Sequence, residues 1–288
     1  IAGELDGCTL YNCEVRGGRA VNNTTSGVQA IGGEGLYMAA FAGYVKESTI
    51  EYCRVTPTRN EDGSIAEKGM TDVTNKYDVA VGALGGNNVY ASGFVGCMAG
   101  DAKIIDCFST AQCYSYAASY VGVVAVTRAW TGGLAGRILT EKGNELVRSH
   151  FAGDLSSRQY NPIAVIPIIQ NDVNLGGIAA RANKGDATVT ECYFKPSVSL
   201  SGNSQGNPAK KKIPSFGGDG TTKGDGYGPW DDERYTTREL WEQHDYDFCA
   251  GTMRSTANDE ALGGSHANEW AMDYRLNIPV HGQSVKAT

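Results

Sequence analysis

The chain has 288 residues, with 25 Lys and Arg against 32 Asp and Glu, a formal net charge of −7. An acidic chain whose longest basic run is Lys210-Lys211-Lys212 lacks the basic footprint of a nucleic-acid binder, and no window holds the roughly 18 consecutive apolar residues of a membrane span. A hydrophobic content of 41% can fill a core, while 38 glycines beside only 8 prolines point to short strands and many turns rather than to collagen or a proline-rich linker.

In chain order, Ile1 to Gly7 has neither the basic start nor the apolar segment of a signal peptide. A chain opening on Ile1 reads as a trimmed or excised piece, so its compartment is argued indirectly. A pattern then recurs: an aliphatic or aromatic anchor, two small residues, and further on a Cys flanked by strand formers. The copies run from Ile1-Ala2-Gly3 to Cys13, from Phe41-Ala42-Gly43 to Cys53, from Phe94-Val95-Gly96 to Cys107, from Leu134-Ala135-Gly136 to His150, and from Ile178-Ala179-Ala180 to Cys192. Apolar residues precede each Cys or His150: Leu10, Ile50, Ile104 with Ile105, Leu146 with Val147, and Val189. The steps along the Cys/His series are 40, 54, 43 and 42 residues, which implies constant strands joined by loops of variable length.

Between the copies, residues 56–78 read as a polar loop turning at Asn60-Glu61-Asp62-Gly63. The apolar run Tyr120–Val126 suits a buried strand. Residues 154–172, with Pro162 and Pro167, read as an edge strand or packed loop. Residues 199–229 form a long Gly, Ser and Lys excursion. Thr236 and Glu239 make a capping box for a short helix over 237–244, whose Leu240 and Trp241, with Phe248 and Trp270, could cover the last repeat.

Each copy is too small to bury its own apolar face, so the physical expectation is stacking, about 4.8 Å per copy, with like residues above like. The expected fold class is all-β: a β-solenoid of about five degenerate repeats, with a C-terminal cap containing a short helix. The division is 1–200 repeats, 201–229 loop and 230–288 cap. Cys13, Cys53, Cys107 and Cys192 are expected as free, inward thiols, whereas Cys8, Cys97, Cys113 and Cys249 fall outside the ladder and leave a bridge among them open.

The units Gly132-Gly133-Leu134-Ala135-Gly136 and Gly93-Phe94-Val95-Gly96, each followed by a strand like Ile104 to Cys107, resemble GLUG repeats. The similarity covers about residues 1–200, and the segment Trp270–Gly282 resembles the closing strand that follows such repeats. GLUG repeats occur in secreted and cell-surface proteins of bacteria, including adhesins and the non-catalytic parts of some IgA-cleaving metallopeptidases. The resemblance implies a right-handed parallel β-helix-like form for the solenoid and an extracellular, adhesive role.

Catalytic motifs find no support. The four histidines, at 150, 244, 266 and 281, form no His-Glu-x-x-His. Gly202-Asn203-Ser204-Gln205-Gly206 spells a nucleophile elbow, but a polar glycine-rich loop replaces the strand and helix that would strain it. Asp219, Asp225, Asp231 and Asp232 offer calcium oxygens at no known loop spacing and read as a solvated acidic loop. Asp154, Arg158 and Asp186 are scattered charges rather than the paired carboxylates of a glycosidase. Tyr227, Trp230, Tyr235 and Trp241 suit either a sealed cap or a surface that stacks on sugars.

The expectation is therefore a non-enzymatic stalk on the bacterial surface. Its partners are host or microbial glycans or surface proteins, without cofactor, metal, nucleic acid or membrane span. Tyr227, Trp230, Tyr235 and Trp241 are the candidate glycan contacts, and a β-helical polysaccharide lyase or glycoside hydrolase is the alternative.

Overall fold

The computed structural model describes residues 1–21, 35–61, 79–85, 88–118, 127–141, 143–160, 171–182, 187–190, 192–194, 270–273 and 278–281. These residues are all-β, with no helix among them. The first repeat supplies β1 (Ala2–Asp6), β2 (Thr9–Tyr11), β3 (Glu14–Arg16), β4 (Gly18–Val21) and β5 (Leu36–Ala39). The second supplies β6 (Ala42–Lys46), β7 (Thr49–Glu51), β8 (Arg54–Thr56), β9 (Val79–Gly85) and β10 (Val89–Ser92). The third supplies β11 (Val95–Ala99), β12 (Lys103–Ile105), β13 (Phe108–Ser109), β14 (Gln112–Ala118) and β15 (Thr127–Gly132). The fourth supplies β16 (Ala135–Ile138), β17 (Glu145–Val147), β18 (His150–Phe151), β19 (Leu155–Tyr160) and β20 (Asn171–Gly176). The fifth supplies β21 (Ala179–Arg181), β22 (Thr188–Thr190) and β23 (Tyr193–Phe194).

Each strand pairs in parallel with the strand five places away, so five sheets form, each taking one strand from every repeat it spans. The anchors fall into one column. Ala2, Ala42, Val95, Ala135 and Ala179 are successive Cα partners, which places Ile1, Phe41, Phe94, Leu134 and Ile178 at equivalent positions just before them. The last four are buried, and Phe41 stacks on Phe94 with ring centroids 4.8 Å apart. Leu10, Ile50, Ile104, Leu146 and Val189 form a second column. Vertical stacking of like side chains makes one core from segments that could not build one alone.

The short strands are separated by bends in the left-handed region. Gly7, Glu47, Asp101 and Gly143 hold one bend, and Asn12, Tyr52, Asp106 and Arg148 another, all at positive φ. Gly, Asn and Asp accept this conformation readily, whereas Glu47, and more so Tyr52 and Arg148, carry a cost of about 1–3 kcal/mol. Neighbours hold the last two. Arg148 donates to both carboxylate oxygens of Asp106, at 2.8 and 2.6 Å, and the Tyr52 ring stacks at 3.8 Å on His281.

The residue after the second bend is Cys13, Cys53, Cys107, Ser149 and then Cys192. The expected Cys column is therefore in register, but its fourth member is Ser149. His150 sits one residue on, as the Cα partner of Phe108 and Tyr193, with its ring stacked 5.2 Å from that of Phe108. Placing His150 among the cysteines is thus corrected by one residue. The reason is hydrogen bonding. The Cys53 sulfur accepts the N–H of Cys13 at 3.3 Å, the Cys107 sulfur accepts that of Cys53 at 3.4 Å, and the Ser149 hydroxyl accepts that of Cys107 at 3.0 Å. Each of these side chains also donates to the carbonyl two residues back, Glu51, Ile105 and Val147 respectively. The position requires a small group that both donates and accepts, which an imidazole does not fit. A matching column follows the first bend, where Cys8 N–H donates to Ser48 Oγ and Ala102 N–H to Asn144 Oδ1. No disulfide joins any of the seven cysteines among the described residues.

Of the segment 154–172, residues 155–160 form β19 and 171–172 begin β20, each the last strand of its sheet, while Pro162 and Pro167 lie outside the described residues. Near the C-terminus, β24 (Trp270–Asp273) and β25 (Ile278–His281) pair antiparallel. This hairpin lies on the flank of the second and third repeats. His281 stacks on Tyr52, meets the Phe108 ring edge-on and donates from Nε2 to the Asp106 carbonyl at 2.7 Å, while Asp273 pairs with Arg59. The expected helix 237–244, the strand 120–126, and Leu240, Trp241 and Phe248 lie outside the described residues.

Candidate functional site: an arginine–aromatic strip

Four residues before three of the anchors stands a large aromatic: Tyr37, Tyr90 and Trp130. They are successive Cα partners on β5, β10 and β15, and their rings stack at 5.0 and 5.8 Å. Tyr90 and Trp130 are buried, and Tyr37 is half-buried. With Ala180 they form a cluster separate from the main core.

Three residues after the last four anchors stand Tyr44, Cys97, Arg137 and Arg181, also in register, on β6, β11, β16 and β21. The two arginines follow one rule. Arg137 lies over the ring of Tyr90 on β10, with its guanidinium carbon 6.0 Å from the centroid, and donates from Nη1 to the hydroxyl of Tyr37 on β5 at 2.8 Å. Arg181 lies 5.4 Å over Trp130 and donates from Nη1 to the Tyr90 hydroxyl at 3.0 Å. Each guanidinium is thus oriented by a ring face and by a hydroxyl.

Glycine allows the two columns to approach. A Cβ on Gly136 would stand 2.5 Å from the Gly96 carbonyl oxygen and 3.2 Å from Tyr90 Cβ. One on Gly96 would collide with the Gly43 carbonyl and stand 2.9 Å from Tyr37 Cβ. The small residues after the anchors therefore serve close contact between stacked backbones and rings, beyond the turning freedom expected of them. Burial, opposed by the Arg137 guanidinium, pushes the Tyr37 hydroxyl well above its ordinary range, so it stays protonated and accepts from Arg137.

Chemically, the strip offers oriented cations in a partly desolvated setting. A half-exposed guanidinium can bind carboxylate or sulfate oxygens in pairs. Four other described arginines meet carboxylates: Arg16 and Arg54 with Glu14, Arg59 with Asp273, Arg148 with Asp106. Among the described residues, Arg181 meets Tyr90 and Trp130.

The sequence candidates fare differently. Tyr227, Trp230, Tyr235 and Trp241, Ser204, Asp186 and the Asp219–Asp232 segment lie outside the described residues. Asp154 is half-buried just before β19, and Arg158 lies within that strand. Cys107 and Cys113 are buried, which raises both thiols well above their ordinary value and leaves them poor nucleophiles. Among the described residues no group of three or more His, Cys, Asp or Glu converges as a metal site, and no helix is long and apolar enough to cross a membrane. Sequence reasoning missed the strip. Its signal was an aromatic at anchor minus four and an arginine at anchor plus three, a spacing visible only once the anchors are aligned.

Comparison with family models, curated proteins and solved structures finds no match for this chain.

Proposed function

We propose that this chain is a right-handed β-solenoid of GLUG-like repeats, an extracellular, non-catalytic stalk of the bacterial cell surface that contacts glycans along its flank. The observation that carries the reading is register. Strands of five successive repeats pair only with their counterparts above and below, and anchors, small residues and bends recur at the same positions. Such an assembly lengthens by addition of repeats, about 4.8 Å at a time, which suits a spacer. The Arg137 and Arg181 strip supports the contact role, since it presents oriented polar groups on the flank rather than an acid–base pair.

The test is incubation of the protein with a panel of acidic and neutral polysaccharides, read by binding and by mass spectrometry of the sugar. The reading expects retention of at least one glycan with its chain length unchanged. Cleavage into shorter or unsaturated products would replace it with a lyase or hydrolase.

A further inference from the structure

We propose that Arg137 and Arg181 form a binding site for a linear anionic polysaccharide carrying carboxylate or sulfate groups, laid along the direction in which the repeats stack. The inference rests on the glycan-contacting role proposed above and specifies its site and ligand class.

Three observations carry it. First, Arg137 and Arg181 are direct Cα partners on adjacent parallel strands, β16 and β21. The two cationic residues therefore stand one strand spacing apart along the stack. Second, Arg181 commits one N–H to the Tyr90 hydroxyl and its face to Trp130, and pairs with no carboxylate among the described residues. Its remaining donors form a fork fit for a bidentate oxyanion. Third, both side chains are placed by the same device, a ring beneath and a tyrosine hydroxyl at the tip, so the geometry is set before any ligand arrives.

Spacing selects the ligand. Adjacent strands lie about 4.8 Å apart, and a sugar ring in a linear chain advances by a comparable distance. A polymer with one charge per ring can therefore place successive anions on successive arginines. The protein as a whole is acidic, at −7, so a polyanion is repelled at long range and is held only by a local, shaped cationic site.

The experiment is calorimetric titration of the full chain with polygalacturonate, dextran sulfate, neutral dextran and sodium sulfate. Wild-type protein is expected to bind at least one charged polymer, more weakly as salt rises, and to bind dextran and free sulfate far less. Arg181→Gln is expected to weaken that binding about tenfold, the loss of one charged contact, and Arg137→Gln with Arg181→Gln to abolish it. Because either arginine also covers buried rings, the wild-type protein is labelled in parallel with phenylglyoxal, and a bound polymer should protect Arg137 and Arg181 from modification. Unprotected arginines, equal affinity for dextran, or binding of neither charged polymer would each overturn the inference. Neutral glycan binding that survives both substitutions would overturn the anionic site while leaving the glycan-contacting stalk standing, whereas cleavage of the polymer would remove the stalk reading itself.

Discussion

The Ser149 hydroxyl accepts the backbone N–H of Cys107 at 3.0 Å while donating to the Val147 carbonyl at 2.8 Å. One side chain thereby ties a bend in the fourth repeat to the backbone of the third. Both residues are buried, so each broken bond leaves an orphaned polar group. Ser149→Ala is expected to cost about 1–3 kcal/mol in urea unfolding. Ser149→Cys, which restores the column's usual residue, should cost under about 1 kcal/mol. Equal losses for the two would mean that the hydrogen bonds are not what this position requires.

The glycine column predicts a position-dependent penalty. A Cβ at Gly96 would strike the Gly43 carbonyl, whereas one at Gly3 meets nothing within 4 Å. Gly96→Val should destabilise by about 1–3 kcal/mol and Gly3→Val by no more than about 0.5 kcal/mol. Thermal unfolding of the pair decides the point, and similar melting temperatures would count against close stacking at this column.

Thiol chemistry should follow depth in the stack. Cys8 is exposed and Cys13 partly so, while Cys107 and Cys113 are fully buried with thiols held well above their ordinary range by desolvation. Native iodoacetamide labelling at pH 8, mapped by peptide mass spectrometry, should modify Cys8 first and Cys13 next. Cys107 and Cys113 should react only after unfolding. Rapid native modification of Cys107 would place it outside the core.

The hairpin should loosen in mild acid. Burial, reinforced by the nearby charges of Arg54 and His150 and opposed by the Asp106 carbonyl, lowers the His281 imidazole to about 3. A group depressed on folding contributes its stability above its unfolded value, about 6.5, and loses it as pH falls toward the folded value. Hydrogen exchange of residues 278–281, corrected for intrinsic rate, should therefore quicken from pH 7 to pH 5 while residues 103–105 stay protected. His281→Phe keeps a ring against Tyr52 and should flatten that dependence. A pH-independent wild-type hairpin would mean that His281 is not buried neutral against Tyr52.

The anchor triplets were legible because burial forces Ile, Phe and Leu into one column and leaves a repeating trace. The Cys series was legible in four of the five repeats, and in the fourth pointed to His150 instead of Ser149. Resemblance in chemistry selects His, whereas the bend selects a small donor and acceptor. The column of Cys8, Ser48, Ala102 and Asn144 was obscured because four residue types fill one geometric position. The strip was obscured for another reason: Tyr37, Tyr90 and Trp130 belong to the strand before the anchor, and Arg137 and Arg181 to the strand after it. Only the fold brings the two columns together.

Register across all five repeats is the claim on which the rest depends, and Thr9 and Thr188 close its longest column, through Thr49, Lys103 and Glu145. Spin labels carried on non-natural residues at these two positions would leave the native cysteines untouched. Pulsed dipolar spectroscopy should then give one narrow distance near four strand spacings, roughly 19 Å between backbones and broadened by the label arms. A broad distribution, or a separation about twice that value, would contradict stacked repeats and with them the arrangement of the arginine strip.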